Sequence, residues 1–333
     1  MTMSSDKPRS TGVMLVGFGG PDSIEAVRPF MCELMDREPS DEAVDEACMH
    51  YLAIGGKSPL PEIADAMAVA LAEKLAEEVT NPVPVLVAMR YTQPYIKDAV
   101  DMLVGAGANR IIMCSLSPFE SKVTHGAYRE AIADALAEHP DVDVVEAPSI
   151  GSLVAFAEIA AASAQSALQT LESAAGALVV FTAHSLPLSD LTEDDPYVSG
   201  LRTMIDRMCE YLGYDHGRDG EGEPLLPGIR TYGSLGGTAQ PWALAYQSKG
   251  KRPGEWLGPS LEDVIDAAHA SGAKSIVVVP IGFVTDHLET LYDLDIVAAG
   301  QALDLDMEFV RGPVANDHEH LIKGLAEAIQ PLL

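Results

Sequence analysis

Basic residues are scarce in this chain: 21 Lys and Arg stand against 50 Asp and Glu, a formal charge of −29 over 333 residues. So acidic a surface repels phosphate backbones, which argues against nucleic acid as a partner; most of it reads as a solvated coat. Cysteine is scarcer still. Cys32, Cys48, Cys114 and Cys209 are scattered, with no CxxC pair and no Cys–His cluster. That argues against a disulfide framework, structural zinc and an iron–sulfur cluster. Long apolar runs are missing too. "SIVVVPIGFV" (275–284) is among the longest, and it has the length of a buried strand rather than a transmembrane helix. No apolar stretch precedes the first strand, so "MTMSSDKPRSTG" is not a signal peptide. The expectation is a soluble, cytoplasmic monomer.

What the chain does have is core material, 47% hydrophobic residues, and a length that favours two domains. Apolar strand-like runs alternate with amphipathic helix patterns, the signature of α/β architecture with parallel sheets. Strands are predicted at 12–18, 83–89, 110–116 and 142–147, and again at 177–183, 243–248, 275–281 and 307–310. The halves also match in detail: the stretch from "VPVLVAMRYTQPY" to "FESKVTHG" parallels that from "WALAYQSKG" to "GFVTDH". Each runs strand, polar loop with proline, helix, Gly-containing stop, strand, polar loop. Two pseudo-repeated flavodoxin-like, Rossmann-like βαβ domains with four-stranded parallel sheets explain this. The expected divisions are 1–173, 174–315 and a C-terminal helix at 316–333 that crosses back to the first domain. Ligands of such sheets bind at the carboxyl ends of the strands, and between two domains those ends can line one cleft. The Gly-rich segment 215–240 breaks the rhythm and reads as an exposed excursion or a lid.

Two nucleotide signals fail on inspection. Gly17-Phe18-Gly19-Gly20 follows the first strand, but a GxGxxG fingerprint would need glycine where Asp22 stands, and Pro21 intervenes. The GKS of "GGKSPL" (55–60) lacks the first glycine of a phosphate loop, Tyr51 standing in its place, and follows a helix pattern rather than a strand. Ser58 and Pro59 read better as the opening of the helix that follows.

The chemistry gathers at two strand ends. "VVFTAHSLPLSD" (179–190) is a β-branched run that stops on His184. "PIGFVTDHLETLYDLDI" (280–296) is a strand end followed by Asp286, His287, Glu289, Asp293 and Asp295, with Asp286, Glu289 and Asp293 on one helical face. Taken alone, a strand-end histidine is commonly just hydrogen-bonded, and an acidic run commonly just solvated. Their positions at the carboxyl ends of two second-half strands let them converge, and a histidine with a carboxylate can take protons and receive a metal.

"GVMLVGFGGPDS", "YLAIGGKSPL", "MRYTQPYIKDAV", "FTAHSLP", "EWLGPSLEDV" and "GFVTDHLETLYDLDI" in this order resemble the ferrochelatase family over Gly12 to Ile296. The resemblance implies the class II chelatase fold, insertion of ferrous iron into a porphyrin for haem synthesis, and Fe(II) as substrate with no permanently bound cofactor. It implies His184 and Glu289 as catalytic groups on opposite faces of the macrocycle, with His184 as proton acceptor and iron ligand. Asp293 would extend an acidic path for the metal. Phe18, where some relatives have a metal-contacting tyrosine, is expected to be an apolar wall. Ser58, Arg90, Tyr91, Ser121 and Lys122 are candidate propionate donors, and His287 joins the substrate-binding set. Some relatives carry a [2Fe–2S] cluster held by C-terminal cysteines; none follows Cys209 here, so no cluster is expected. Without an apolar membrane-binding lip, the soluble tetracarboxylate coproporphyrin III is favoured over protoporphyrin IX. A cobalt or nickel chelatase of the same fold is a second enzyme reading, and a porphyrin carrier without chemistry is the alternative of another class.

Overall fold

The computed structural model describes residues 10–77, 79, 81–214, 216, 223–226, 229–231 and 240–333. Two four-stranded parallel sheets form the frame. The first holds β1 (Thr11–Gly17), β2 (Val85–Met89), β3 (Arg110–Ser115) and β4 (Asp143–Glu146), in the order β2-β1-β3-β4. Two strands, β6 (Glu223–Leu226) and β7 (Ile229–Thr231), pair antiparallel as a separate ribbon. The second large sheet holds β5 (Leu178–His184), β8 (Trp242–Gln247), β9 (Ser275–Val279) and β10 (Glu308–Arg311), in the order β10-β9-β5-β8. Read from its other edge, this is second, first, third, fourth, the same topology as the first sheet. The eight expected strands are therefore all present, and the pseudo-repeat is a repeat of topology.

Helices α1 (Val27–Met35), α2 (Asp41–Ala53) and α3 (Leu60–Ala76) lie between β1 and β2; α4 (Ile96–Gly105) and α5 (Ala127–Ala135) follow β2 and β3. Then come α6 (Val154–Thr170), α7 (Pro196–Leu212), α8 (Leu261–Ala270), α9 (Leu288–Leu291), α10 (Ala299–Asp304) and α11 (Glu319–Ile329). Short π-helical segments occur at Lys122–Gly126 and Asp293–Ala298. Among the described residues no helix is long and apolar enough to cross a membrane. The expected 215–240 excursion falls largely outside the described residues; within it stand only β6, β7, His216 and Gln240.

Both faces of each sheet are buried, which is why the strands read as apolar runs rather than alternating ones. Val13 and Leu15 of β1 turn to one face and Met14 and Val16 to the other, the period-two consequence of the pleat. The first face joins that of Val179 and Phe181 in β5 and of Val277 and Val279 in β9 in a single core with α3, α6, α7 and α11. The outer faces have their own cores, with α4 and α5 on the first sheet and α8 and α10 on the second. Helix α6 packs on β9 and β10, and α11 lies against both α3 and α6. Gly324 makes the α11–α6 approach possible, because a Cβ there would come within 2.9 Å of Ala155 Cβ.

In each sheet the strand order reverses between its first and third strands, so the crevices open beyond β1 and β3 and beyond β5 and β9.

Candidate active site

One cavity of about 180 Å³ lies at the two crevices. The first half contributes Phe18 after β1 and Leu116, Pro118, Phe119, Ser121 and Thr124 after β3. The second half contributes His184 at the end of β5, Tyr197, and residues after β9 that include Phe283, His287 and Glu289. An apolar wall thus stands across from one that carries the ionisable groups.

His184 is fixed before its ring does anything. It ends β5 in register with Gln247 of β8, and Tyr197 Oη donates to its carbonyl at 2.8 Å. Its Nδ1 donates to the Ser185 carbonyl at 2.5 Å, which turns Nε2 into the cleft, 3.3 Å from Glu289 Oε1. Glu289 lies on α9, where Gln247 Nε2 donates to its carbonyl at 2.8 Å, and its Oε2 stands 3.4 Å from His287 Nε2. The His184 and Glu289 side chains remain 31% and 32% exposed, so both are open to an incoming ligand.

Burial opposes charge on His184, but the Glu289 carboxylate, by charge and hydrogen bond, and the Ser185 carbonyl together lift its pKa to about 9. Burial likewise opposes charge on Glu289; His184 and then His287 overcome it and hold the carboxyl well below its usual range. The resting pair is therefore imidazolium and carboxylate. Asp293 follows in the π-helical segment, accepting a hydrogen bond from Ser248 Oγ at 2.5 Å. Burial, and to a lesser degree the charge of Glu289, push its carboxyl up, against the hydrogen bond from Ser248.

This geometry corrects one expectation. A macrocycle between His184 and Glu289 would need about 3.5 Å of van der Waals separation on each side, and the two groups are in direct contact. They belong to one wall. Phe18 belongs to the other wall, edge-on to Tyr91 with ring centroids 4.7 Å apart.

Of the expected propionate donors, Ser121 alone lines the cleft; its Oγ accepts from Thr124 N at 3.1 Å and opens the first π-helical segment. Ser58 is buried behind the Gly19–Gly20 turn, its amide bonded to the Pro21 carbonyl and its Oγ accepting from Leu60 N at the start of α3. Arg90 lines a separate hollow beside Tyr95, Lys97 and Asp134, with its guanidinium 5.2 Å from the Tyr91 ring centroid. Lys122 is exposed. Asp286 faces away from this chemistry, bound to Arg311 and Asn316. Among the described residues no three His, Cys, Asp or Glu side chains converge as a ready metal site, and Asp293 does not line the cleft.

Several participants were not singled out from sequence. Gln247 ends β8 and Ser248 follows it, at another carboxyl strand end, and that placement is the signal that could have found them. Tyr197 lines the cleft from α7, while Tyr51 on α2 is buried outside its lining; burial above all, with the charge of Glu289 adding to it, raises the pKa of both.

Fold and cleft together define an α/β protein of two like parallel sheets with its ionisable groups at the strands' carboxyl ends. Its architecture is similar to the sirohydrochlorin chelatase SirB of Bacillus subtilis subspecies spizizenii solved with cobalt, with a TM-score of 0.50 at 13% identity over 96% of this chain and 94% of that one. SirB from Bacillus subtilis with Fe3+ gives a TM-score of 0.52 at 14% identity over the same shares. The family model described as Ferrochelatase matches residues 10–332, and the chain belongs to the ferrochelatase family. Ferrochelatase of Deinococcus radiodurans is 29% identical over 99% of this chain and 97% of its own length. Those of Desulfotalea psychrophila and Geotalea uraniireducens are each 32% identical, over 96% and 97% of this chain and 96% and 98% of their own lengths.

Proposed function

We propose that this protein is a porphyrin metal chelatase of the lyase class that inserts Fe(II) into coproporphyrin III. The observation that carries the reading is the His184–Glu289 pair on one wall of a cleft whose opposite wall is apolar. Insertion must break two pyrrole N–H bonds, move both protons away and place Fe(II) among the four nitrogens. Fe(II) approaching the Glu289 carboxylate competes with the imidazolium for that charge, so His184 gives up its Nε2 proton to solvent. The freed lone pair then accepts the first pyrrole proton or ligates iron, for which imidazole is a suitable borderline donor. Glu289 neutralises the cation, and its other oxygen, beside His287, is placed to take the second proton. Asp293, one turn further on, extends the acidic route, its carboxyl pushed up chiefly by burial. No bound cofactor enters the scheme. Phe18 and its neighbours supply a wall against which the ring is pressed, and contacts remote from the nitrogens can drive the distortion that exposes their lone pairs.

Coproporphyrin III is favoured because α1, which packs on the Phe18 wall through Phe30, and α2 after it do not suit a bilayer. Exposed Leu34, Met49 and Leu52 on α1 and α2 are interleaved with Glu33, Asp36, Asp45 and Glu46, whose charge opposes contact with anionic lipid. A water-soluble tetracarboxylate needs no membrane for delivery. The test is anaerobic: Fe(II) added to coproporphyrin III or protoporphyrin IX, absorbance followed, wild type beside His184→Ala. Fast insertion into coproporphyrin III that the variant lacks is the expected result. Faster use of protoporphyrin IX would change the substrate, and tight binding without insertion would make the protein a carrier.

A further inference from the structure

We propose that Arg311, which lies outside the cleft, is the positioning residue that holds Glu289 at the reacting centre. The inference rests on the chelatase reading for its kinetic consequence but not for its geometry. Arg311 ends β10, the edge strand of the second sheet, and its side chain is only 13% exposed. Its Nε and Nη2 donate to the two carboxylate oxygens of Asp295 at 2.6 and 2.9 Å, while Nη1 donates to Asp286 Oδ1 at 3.1 Å. Asp286 precedes Glu289 and Asp295 follows it in the chain. One planar guanidinium therefore closes both ends of the segment that carries His287, Glu289 and Asp293.

That segment cannot hold its shape unaided. Helix α9 has 4 residues and runs directly into the π-helical segment, and so short a helix followed by so wide a turn has little intrinsic stability. Its geometry must come from tertiary contacts. The Asp286 end has several. Asn316 Nδ2 donates to Asp286 Oδ2 at 3.0 Å, and Asp286 N donates to Asn316 Oδ1 at 2.8 Å. Thr290 Oγ1, fully buried, donates to Asp286 Oδ1 and accepts from His287 N, both at 3.0 Å. Asp295 has no side-chain partner but Arg311 among the described residues. On the far side of Glu289, Ser248 holds Asp293 and Leu294 is buried in the core, and the fork adds the side-chain tie that joins this end to the Asp286 end; an ammonium cannot replace it, because a point charge does not grip one carboxylate with two donors while reaching a second.

The test uses the full chain with Asp295→Asn and Arg311→Lys. Both weaken the Asp295 tie and leave Asn316 and Thr290 on Asp286; should Arg311→Lys fail to fold, Asp295→Asn carries the result. Displacement of a reacting group by about 1 Å costs on the order of a hundredfold, so a partial loosening is expected to raise KM for Fe(II) roughly tenfold. KM for the porphyrin should stay near wild type. The imidazole nitrogen signals of His184 should also move, because its 3.3 Å neighbour has loosened. Folded variants with unaltered KM for Fe(II) and unaltered His184 signals, differing only in melting temperature, would overturn the proposal and leave a merely structural salt bridge. Wild type inert toward every porphyrin would sink the chelatase reading instead, and the His184 signals would still decide whether the fork positions Glu289.

Discussion

His184 Nε2 and Glu289 Oε1 stand 3.3 Å apart, brought together from the end of β5 and from α9, about a hundred residues later. The contact makes each group the chief reason the other is charged. Glu289→Gln removes the carboxylate while keeping its shape, so burial is then opposed only by the Ser185 carbonyl and the charge of Asp293, and the pKa falls from its raised value. Nitrogen-detected NMR titration should show a His184 pKa near 9 in wild type and its collapse in the variant. A transition unchanged by the substitution would mean that another group sets it.

The same pair predicts how stability varies with pH. The His184 pKa is raised on folding, so its contribution is complete below about pH 6.5 and is lost as pH rises through about 9. The Glu289 pKa is lowered on folding, so its contribution is present above about pH 4.5 and lost as pH falls. Wild type should exceed Glu289→Gln by about 1–3 kcal/mol near pH 6, a gap that closes toward pH 10. Thermal melts of both proteins across that range check it; a gap that widens with pH contradicts it.

Much of this was legible beforehand because buried parallel strands leave an unambiguous trace. "SIVVV" and "LVVFTA" are β-branched on both faces, and the paired Gly-containing stops fixed the repeat that the two identical strand orders display. His184 and Glu289 were legible as residues, because each follows such a strand. Their spacing was not. Whether two side chains meet or face each other across a gap depends on how the sheets pack through a common core, and no local pattern encodes that. Ser58 shows the opposite failure: its motif was visible, but a serine before Pro59 serves the backbone it caps, and its Oγ is consumed there. Arg311 carried no signal at all, since a lone arginine at the end of an edge strand looks like any surface charge until Asp286 and Asp295 are seen beside it.

The apolar wall can be tested through Phe18. Its ring packs edge-on against Tyr91 and Phe30, with centroids 4.7 and 6.2 Å away, and lines the cleft. Phe18→Ala should weaken porphyrin binding by about 1.5–3 kcal/mol, the value of one buried aromatic face, with KM for Fe(II) little changed. Fluorescence quenching with a metal-free porphyrin measures this without turnover. Equal affinity in the variant would place the ring elsewhere in the cleft.

Tyr197 offers a test of how much the position of His184 matters. Its buried hydroxyl donates to the His184 carbonyl at 2.8 Å, at the point where β5 gives way to the loop. Tyr197→Phe keeps the ring and leaves that carbonyl without its donor, an expected loss of about 1–3 kcal/mol in stability. Because the strand end carries the imidazole, kcat should fall more than the folded fraction accounts for, with KM for the porphyrin near wild type. A loss of stability with kcat per folded molecule intact would show that Ser185, through its carbonyl on Nδ1, is enough to aim the ring.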